Sequence, residues 1–281
     1  MREADIDDMG IRIGGRNISN LRYADDTALL ADNITSARRV LHRVDEAGRK
    51  AGLHLNAKKT KVMHVGTGDQ QELYINRTTL ENVSDFKYLG SYKSQDGSCT
   101  KDIKTRIGMA KQKMVQLNNV WKDRGIPTHL KVNIMKCLIW PVLLYGSEAW
   151  TLRKAEKTKL ESAEMWLYRR LLRISWTEKR TNESVLSQLG TKKNILSDIN
   201  KRRLKYIGHA TRNNKTDLMS SIFYGKSSAK RKQGRPPTTY QDNIKETSDL
   251  KMSQIARRSQ NREDWRRVVT ALQGSSEHRQ R

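Results

Sequence analysis

The stretch LRYADDTALL, residues 21–30, places two adjacent acids between short apolar segments. Residues 11–13 and 21–30 are separated by Gly14-Gly15 and by further turn-forming residues, a pattern that predicts an antiparallel hairpin with Asp25 and Asp26 at its centre. Two acids among β-forming residues are costly to bury unless a cation compensates them, so the pair is a candidate metal site. The alternative is a pair of acids in a solvated turn.

The segment that follows has the periodicity of an amphipathic helix packed on a sheet. Apolar positions recur at three- and four-residue steps from Ala37, and Gly52 is expected as a left-handed helix stop. Short strands are predicted at residues 53–55, 62–65, 73–75 and 86–89. The first hundred residues are therefore predicted to be α+β.

After Cys99 the pattern becomes helical. One helix is predicted from Ile103 to Trp121, with an apolar stripe on one side. Its outward-facing cations are expected to be Lys104, Arg106, Lys111 and Lys113. Further helices are predicted at about residues 127–145 (interrupted by Pro141), 154–174, 182–189 and 194–211, with a small helical unit around Ile244, Ile255, Trp265 and Val268. The helix at 194–211 is expected to expose Lys201, Arg202, Arg203 and Lys205.

Basic charge is concentrated in this helical part. The chain holds 55 Lys and Arg against 30 Asp and Glu, a formal net charge of +25. Residues 1–100 hold 15 basic and 14 acidic residues, whereas residues 101–281 hold 40 and 16. An excess of this size favours a polyanionic partner, so nucleic acid is expected to bind residues 101–281.

Other classes of protein are excluded by composition. The longest uninterrupted apolar run, residues 137–145, has nine residues, whereas a membrane span needs about 20. The first residues mix acids with apolar residues and contain no signal-peptide core, so a nuclear or cytoplasmic location is expected and secretion is not. Cys99 and Cys137 are the only cysteines and lack the spacing of a zinc finger.

Three motifs in order resemble the reverse transcriptases. The first is Tyr-Ala-Asp-Asp at residues 23–26, the second is GLHLNAKKTK at residues 52–61, and the third is FKYLG at residues 86–90. The chain is most similar to the polymerases of non-LTR retrotransposons. The resemblance extends over the helical part, through residues 140–150, 169–172, 204–209 and 234–236.

The resemblance implies the end of a polymerase palm followed by a thumb and a nucleic-acid-binding tail. The corresponding divisions are residues 1–98 as the partial palm, 99–224 as the helical thumb region, 225–238 as a basic linker and 239–281 as a small helical tail. The implied chemistry is two-metal nucleotidyl transfer, in which carboxylates hold Mg²⁺ ions.

Asp25 is the expected principal Mg²⁺ ligand, and Asp26 is the secondary one. By the same resemblance Lys59 is expected to be catalytic, either by approaching the nucleotide phosphates or by protonating the pyrophosphate, although a solvated turn lysine is the alternative. Residues 86–90 resemble a primer-grip hairpin, with simple sheet packing as the alternative. From the resemblance and the charge together, the residues expected to contact nucleic acid are Tyr23, Phe86, Tyr88, Leu89, Gly90, Lys104, Lys111, Lys113, Arg169, Arg170, Arg202, Arg203, Lys230, Arg231, Lys232 and Arg235.

The palm of this family carries a further metal-binding Asp on an upstream strand, together with fingers that bind the nucleotide. The chain begins only 24 residues before Asp25, and the nearby Asp5, Asp7 and Asp8 do not resemble that strand. We therefore expect a carboxy-terminal fragment of an RNA-directed DNA polymerase that is inactive alone. Its expected partners are an RNA template and a DNA primer or duplex, with deoxynucleotides only when the upstream palm is present.

The alternative is a non-catalytic, basic nucleic-acid-binding protein. In that case, residues 230–236 (KRKQGRP) lie in a minor groove or serve as a nuclear address. The two hypotheses differ over metal and nucleotide binding and agree on phosphate affinity. Primer extension on an RNA template separates them.

Overall fold

The computed structural model describes residues 6, 8–66, 71–212, 218–224 and 238–275. The chain divides into two compact units. Met1–Ser98 and Asn214–Arg235 form one, here called the strand-rich unit, and Cys99–Asn213 and Pro236–Arg281 form the other, here called the helical unit. The mixture of small sheets and helices agrees with the predicted α+β class. The predicted domain limits at residues 98, 224 and 238 stay predictions.

Short strands in the strand-rich unit pair two by two. The described strands are β1 (Ile11–Ile13), β2 (Arg16–Ile18), β3 (Asn20–Tyr23), β4 (Asp26–Leu29), β5 (Lys61–Val62), β6 (Tyr74–Ile75), β7 (Thr78–Thr79), β8 (Glu81–Asn82), β9 (Asp85–Tyr88) and β10 (Ser91–Ser94). The pairs β1–β2, β3–β4, β6–β7 and β9–β10 are antiparallel hairpins. The pair β5–β8 is parallel.

The helix α1 (Ile34–Lys50) is bounded by local hydrogen bonds at both ends. Asn33 caps its start, because the Asn33 side chain accepts a hydrogen bond of 2.8 Å from the backbone N–H three residues on. At its end Gly52 has a φ of +72°, and the N–H of Leu53 donates to the carbonyl of Gly48 at 2.8 Å. This is a Schellman motif, so the predicted role of Gly52 is confirmed.

Two predicted strand features are wrong. The predicted hairpin is instead two hairpins, because β1 turns back into β2 at Gly14-Gly15 and β3 turns back into β4 at Ala24 and Asp25. Residues 53–55 form no strand. The backbone N–H of Leu53 donates to the last turn of α1, and the chain that follows the helix is irregular.

Two small apolar clusters hold the strand-rich unit together. Helix α1 contributes to both of them, and Leu29 of β4 packs against both. The buried residues of the first cluster are Ile6, Met9, Val40, Val44 and Ala47. Those of the second are Leu41, Leu73, Ile75 and Leu80. The hairpin that carries Asp25 and Asp26 is therefore anchored through the last residue of β4.

The helical unit contains the larger core. Its described helices are α2 (Thr100–Gln116), α3 (Asn118–Lys122), α4 (Thr128–Leu138), α5 (Trp140–Leu143), α6 (Lys154–Leu172), α7 (Asn182–Leu189), α8 (Ile195–Arg212), α10 (Tyr240–Ser248), α11 (Met252–Gln260) and α12 (Arg262–Ser275). The remaining helix, α9 (Leu218–Tyr224), falls in the strand-rich unit. The central cluster of the helical unit is built on α2 and α4 to α8.

The predicted helix from Ile103 to Trp121 is divided in the structure. Helix α2 ends at Gln116, and α3 starts two residues later. Trp121 is 1% exposed, and its indole N–H donates to the carbonyl of Met114 at 2.8 Å. The Trp121 ring is therefore part of the core, as the apolar stripe predicted. The backbone, however, turns between α2 and α3.

Glu164 of α6 caps the start of α8 from within the core. The Glu164 carboxylate accepts hydrogen bonds from the N–H of Asn194 at 2.7 Å and from the hydroxyl of Tyr168 at 3.0 Å. Burial raises the pKa of Glu164, against the lowering effect of these hydrogen bonds. The first amides of α8 are satisfied by a side chain that is distant in sequence.

The three last helices pack on α8 and on the segment before α6. The indole N–H of Trp265 donates to the carbonyl of Leu204 at 2.8 Å. The Asn243 amide accepts from the N–H of Leu152 at 2.6 Å and donates to its carbonyl at 3.1 Å. The residues around which a helical unit was predicted here, Ile244, Ile255, Trp265 and Val268, are all at most 8% exposed.

Candidate active site and nucleic-acid surface

The two adjacent acids lie at the tip of the β3–β4 hairpin. Tyr23 pairs with Asp26, so Ala24 and Asp25 form a two-residue turn. Both acids are exposed, and Tyr23 is 67% exposed. The carboxylates are therefore presented to solvent on a short ribbon, in agreement with the predicted hairpin centre.

Ala24 adopts a left-handed backbone conformation with a φ of +51°. For a residue with a Cβ this conformation costs about 1–2 kcal/mol. Strain of this kind persists where the surroundings over-determine it and is concentrated at functional sites. The turn that presents Asp25 is thus kept by strand pairing on either side and not by a permissive glycine.

The β9–β10 hairpin contacts the hairpin that carries the acids. Its turn residues, Leu89 and Gly90, have φ values of +48° and +79°, the signature of a type I′ turn. The hydroxyl of Tyr88 donates to the carbonyl of Leu21 in β3 at 3.2 Å. Phe86 and Leu89 are 36% and 39% exposed. The hairpin that carries the first sequence motif and the hairpin formed by the third are therefore in direct contact.

The second motif, at residues 52–61, forms a separate, compact turn. The Asn56 side chain accepts from the N–H of Lys59 at 3.2 Å, and the hydroxyl of Thr60 donates to the Asn56 carbonyl at 2.9 Å. Lys59 is exposed. Within the described part of the chain, no hydrogen bond or ion pair joins Lys59 to Asp25 or Asp26.

The donor set at the hairpin tip suits a hard cation. Mg²⁺ prefers oxygen ligands and is usually bound by one or two carboxylates together with substrate phosphates and water. Asp25 and Asp26 supply two such carboxylates. Across residues 6, 8–66, 71–212, 218–224 and 238–275, no group of three His, Cys, Asp or Glu side chains could hold a metal ion. The tip therefore fits part of a magnesium site.

The predicted cations of α2 differ from one another in the structure. Lys104 and Lys113 are exposed, as expected. Lys111 is half-buried, with its ammonium 5.0 Å from the centre of the Trp166 ring. The expectation for Arg106 is wrong, because its side chain is buried and its guanidinium stacks 4.2 Å from the centre of the Tyr145 ring. Phosphates can reach only some of this basic face.

Two of the four predicted arginines of α6 and α8 take part in the packing of the helical unit. Arg170 and Arg202 are exposed. Arg169 is half-buried and donates to the carbonyl of Arg180 at 3.1 Å. Arg203 is only 1% exposed, so its expected exposure is wrong; its guanidinium donates to the Trp150 carbonyl, and burial lowers its pKa.

The remaining predicted residues, Lys230, Arg231, Lys232 and Arg235, lie outside the described residues, as does nearly all of the predicted linker at 225–238. No helix in the described part of the chain is long and apolar enough to cross a membrane.

A strongly exposed tryptophan was not predicted from the sequence. Trp176 is 95% exposed, in a turn between α6 and α7. The signal that could have identified it is the capping box Ser-x-x-Glu at residues 175–178, which starts a new turn after α6. The Trp176 ring therefore lies beyond the end of α6 and is not part of the apolar face of that helix.

Comparison with known proteins supports the reverse transcriptase resemblance of the strand-rich unit. Residues 6–92, which contain both contacting hairpins, match the family described as reverse transcriptase (RNA-dependent DNA polymerase). Enzymes of this class act on nucleic acid, in agreement with the partner expected from the charge.

A second comparison gives a similar protein whose alignment extends over both units. The chain is 29% identical over 248 residues to an uncharacterised transposon-derived protein of Caenorhabditis elegans, an alignment that covers 84% of this chain and 87% of the relative. No solved structure matches the chain significantly. The two matches therefore relate residues 6–92 to a reverse transcriptase family and most of the chain to a transposon-derived protein.

Proposed function

We propose that the chain is the palm-end and thumb portion of an RNA-directed DNA polymerase from a transposable element of the non-LTR type. The observation that carries the proposal is the hydrogen bond between the Tyr88 hydroxyl and the Leu21 carbonyl. It joins the hairpin with the two acids to the primer-grip-like hairpin. In a polymerase, a primer end must lie beside the carboxylates, and a neighbouring hairpin can hold it there.

The chemical roles follow from the resemblance to reverse transcriptases, together with the exposure and charge of the residues. Asp25 and Asp26 hold Mg²⁺, with Asp25 as the principal ligand. The bound ion supplies the charge that activates the primer 3′ hydroxyl and stabilises the leaving pyrophosphate. Phe86 and Leu89 position the primer end, and exposed cations of the helical unit bind the phosphate backbone of the template and primer.

Catalysis in this proposal needs one carboxylate more than the hairpin tip offers. In the family that the sequence resembles, this carboxylate comes from a strand upstream in the palm. The 281-residue chain alone is therefore expected to bind nucleic acid without extending a primer. Two ligands without the third hold a metal ion weakly and position no nucleotide.

Primer extension tests the proposal directly. The assay uses an RNA template, a DNA primer, Mg²⁺ and all four deoxynucleotides, with the chain alone and with a form extended upstream. We expect synthesis only by the extended form. Processive synthesis by the chain alone would contradict the need for a further carboxylate, whereas no synthesis by the extended form would contradict the polymerase assignment.

A second candidate function is non-catalytic binding of nucleic acid. It is favoured by the position of the charge, because the basic excess belongs to residues 101–281 whereas the acid pair lies at residues 25 and 26. This function needs no metal ion. It is the conclusion to draw if the extended form binds template and primer but does not extend the primer.

The exposed lysines of α2 are expected to contact phosphates. The double variant Lys104→Gln, Lys113→Gln should bind duplex DNA more weakly and flatten the log–log salt dependence by about two units, since each phosphate contact contributes about 0.9. The Lys111→Gln variant is the control, because its ammonium faces Trp166; its slope should change less. Binding affinity for duplex DNA, measured from low to moderate salt, checks this prediction. Equal slopes for wild type and double variant would show that Lys104 and Lys113 of α2 do not contact phosphates.

A further inference from the structure

The turn between α6 and α7 presents a tryptophan to solvent. Trp176 is 95% exposed, whereas the other tryptophans of the chain are all buried or half-buried. Those others are Trp121, Trp140, Trp150, Trp166 and Trp265. An indole on the surface leaves a large apolar area in water and available for contact with a partner.

The turn that carries Trp176 is closed by its own hydrogen bonds. The N–H of Ser175 donates to the Glu178 carboxylate at 2.6 Å, which makes a capping box around a single helical turn. Arg173 and Lys179, on either side, have φ values of +59° and +45°. Each left-handed residue of this kind costs about 1–2 kcal/mol, so the turn is held in one conformation by its surroundings.

Side chains of the adjoining helices fix the turn to the core. The Arg169 guanidinium donates to the Arg180 carbonyl at 3.1 Å and to the Asn182 side chain at 2.7 Å. Ile174 packs against the central cluster of the helical unit. The backbone beneath Trp176 is thereby tied at both ends, so binding a ligand on the ring requires little ordering of the chain.

The charge around the ring is positive. Residues 169–183 contain five Lys and Arg against two Glu, and one of these, Glu178, is engaged in the capping box. Arg170, Arg173 and Lys179 are exposed. A flat aromatic surface flanked in the sequence by exposed cations is complementary to a ligand that combines flat rings with phosphates.

We propose that Trp176 is a stacking platform for an unpaired base of single-stranded nucleic acid, with the neighbouring exposed cations binding the adjacent phosphates. The inference rests on the proposed nucleic-acid-binding function and assigns to it a strand type and a contact residue. In a duplex both faces of each internal base are covered by its neighbours, whereas an unpaired base offers a free face to an aromatic ring. The ring thus selects unpaired over paired strands.

Substitution of the ring in the full chain tests this inference. Trp176→Ala, Trp176→Phe and Leu138→Ala are compared with wild type by fluorescence anisotropy, using a labelled oligouridine of about 12 nucleotides and a duplex of the same length. Leu138 is the control because it is a 46% exposed apolar residue of the same unit. Each substitution leaves the core untouched, so the variants remain folded.

We expect Trp176→Ala to weaken oligouridine binding by about 5- to 150-fold, the range for loss of one stacked base. Trp176→Phe should recover much of that loss, and Leu138→Ala should have no effect. Duplex affinity should change less than twofold, and the salt slope should stay the same because no phosphate contact is removed.

Three results would overturn the inference. Unchanged oligouridine binding by Trp176→Ala, while the chain still binds nucleic acid, would reject the stacking role and leave the proposed function intact. An equal loss on duplex and single strand would reject selection of unpaired bases. If the wild-type chain bound neither ligand, the proposed function itself would fail with the inference.

Discussion

Asp25→Asn is expected to reduce primer extension by about a hundredfold or more in the upstream-extended form of the chain. The amide keeps the size of the side chain but removes the negative charge that holds the cation, and metal stabilisation of the transition state is worth several kcal/mol. Because Asp25 is exposed in a turn, the fold should be unaffected. Asp26→Asn should cause a smaller loss, in keeping with its secondary role.

The matched control is Asp32→Asn, which makes the same change of charge at an exposed acid outside the hairpin. Its activity should be close to wild type. Nucleic-acid affinity of all three variants should stay within about twofold, since phosphates are bound by the helical unit. A parallel loss of affinity and synthesis in Asp25→Asn would show that the residue acts on the structure and not on the metal.

Gly208→Ala is expected to destabilise the helical unit by about 2–3 kcal/mol. In an open helix interior the same change usually stabilises by about 0.5–1 kcal/mol, because glycine is the weaker helix former. At position 208, however, a Cβ would overlap Cδ1 and Nε1 of Trp265. The indole must move, so its packing on α8 and its hydrogen bond to Leu204 are lost together.

Gly108→Ala is the control, since Gly108 lies within α2 and a Cβ there meets nothing within 4 Å. It should stabilise the protein while Gly208→Ala destabilises it, as measured by urea unfolding. In a background of Trp265→Ala the cost of Gly208→Ala should largely disappear, because the overlapping ring is gone. A similar cost of Gly208→Ala in both backgrounds would show that the ring does not determine it.

Local patterns predicted the elements that depend on nearby residues. The acid-bearing turn, the stop at Gly52 and helix α7 all have signals within a few positions of themselves. The arrangement of the short strands was not predictable to the same degree. A two-residue strand such as β5 is defined by its partner β8, some 20 residues away, and not by its own composition.

The buried arginines show why part of the basic surface could not be predicted. Arg106 and Arg203 lie in strongly basic helices, where charged residues are normally exposed. Each contacts a residue from outside its own helix: Arg106 stacks on the Tyr145 ring, and Arg203 donates to the Trp150 carbonyl. Such contacts depend on the tertiary fold, whereas the exposure of Lys104 and Lys113 could be predicted from the helical period alone.

The placement of Trp265 on α8 has a consequence for folding during synthesis. The donor Nε1 and the acceptor carbonyl of Leu204 are 61 residues apart. At translation rates of about 5–20 residues per second, the acceptor is made about 3–12 s before the donor. Throughout that interval the side of α8 that carries Gly208 is not covered by the Trp265 ring. A nascent chain stalled or terminated before residue 265 therefore exposes apolar surface to chaperones and to other unfinished chains.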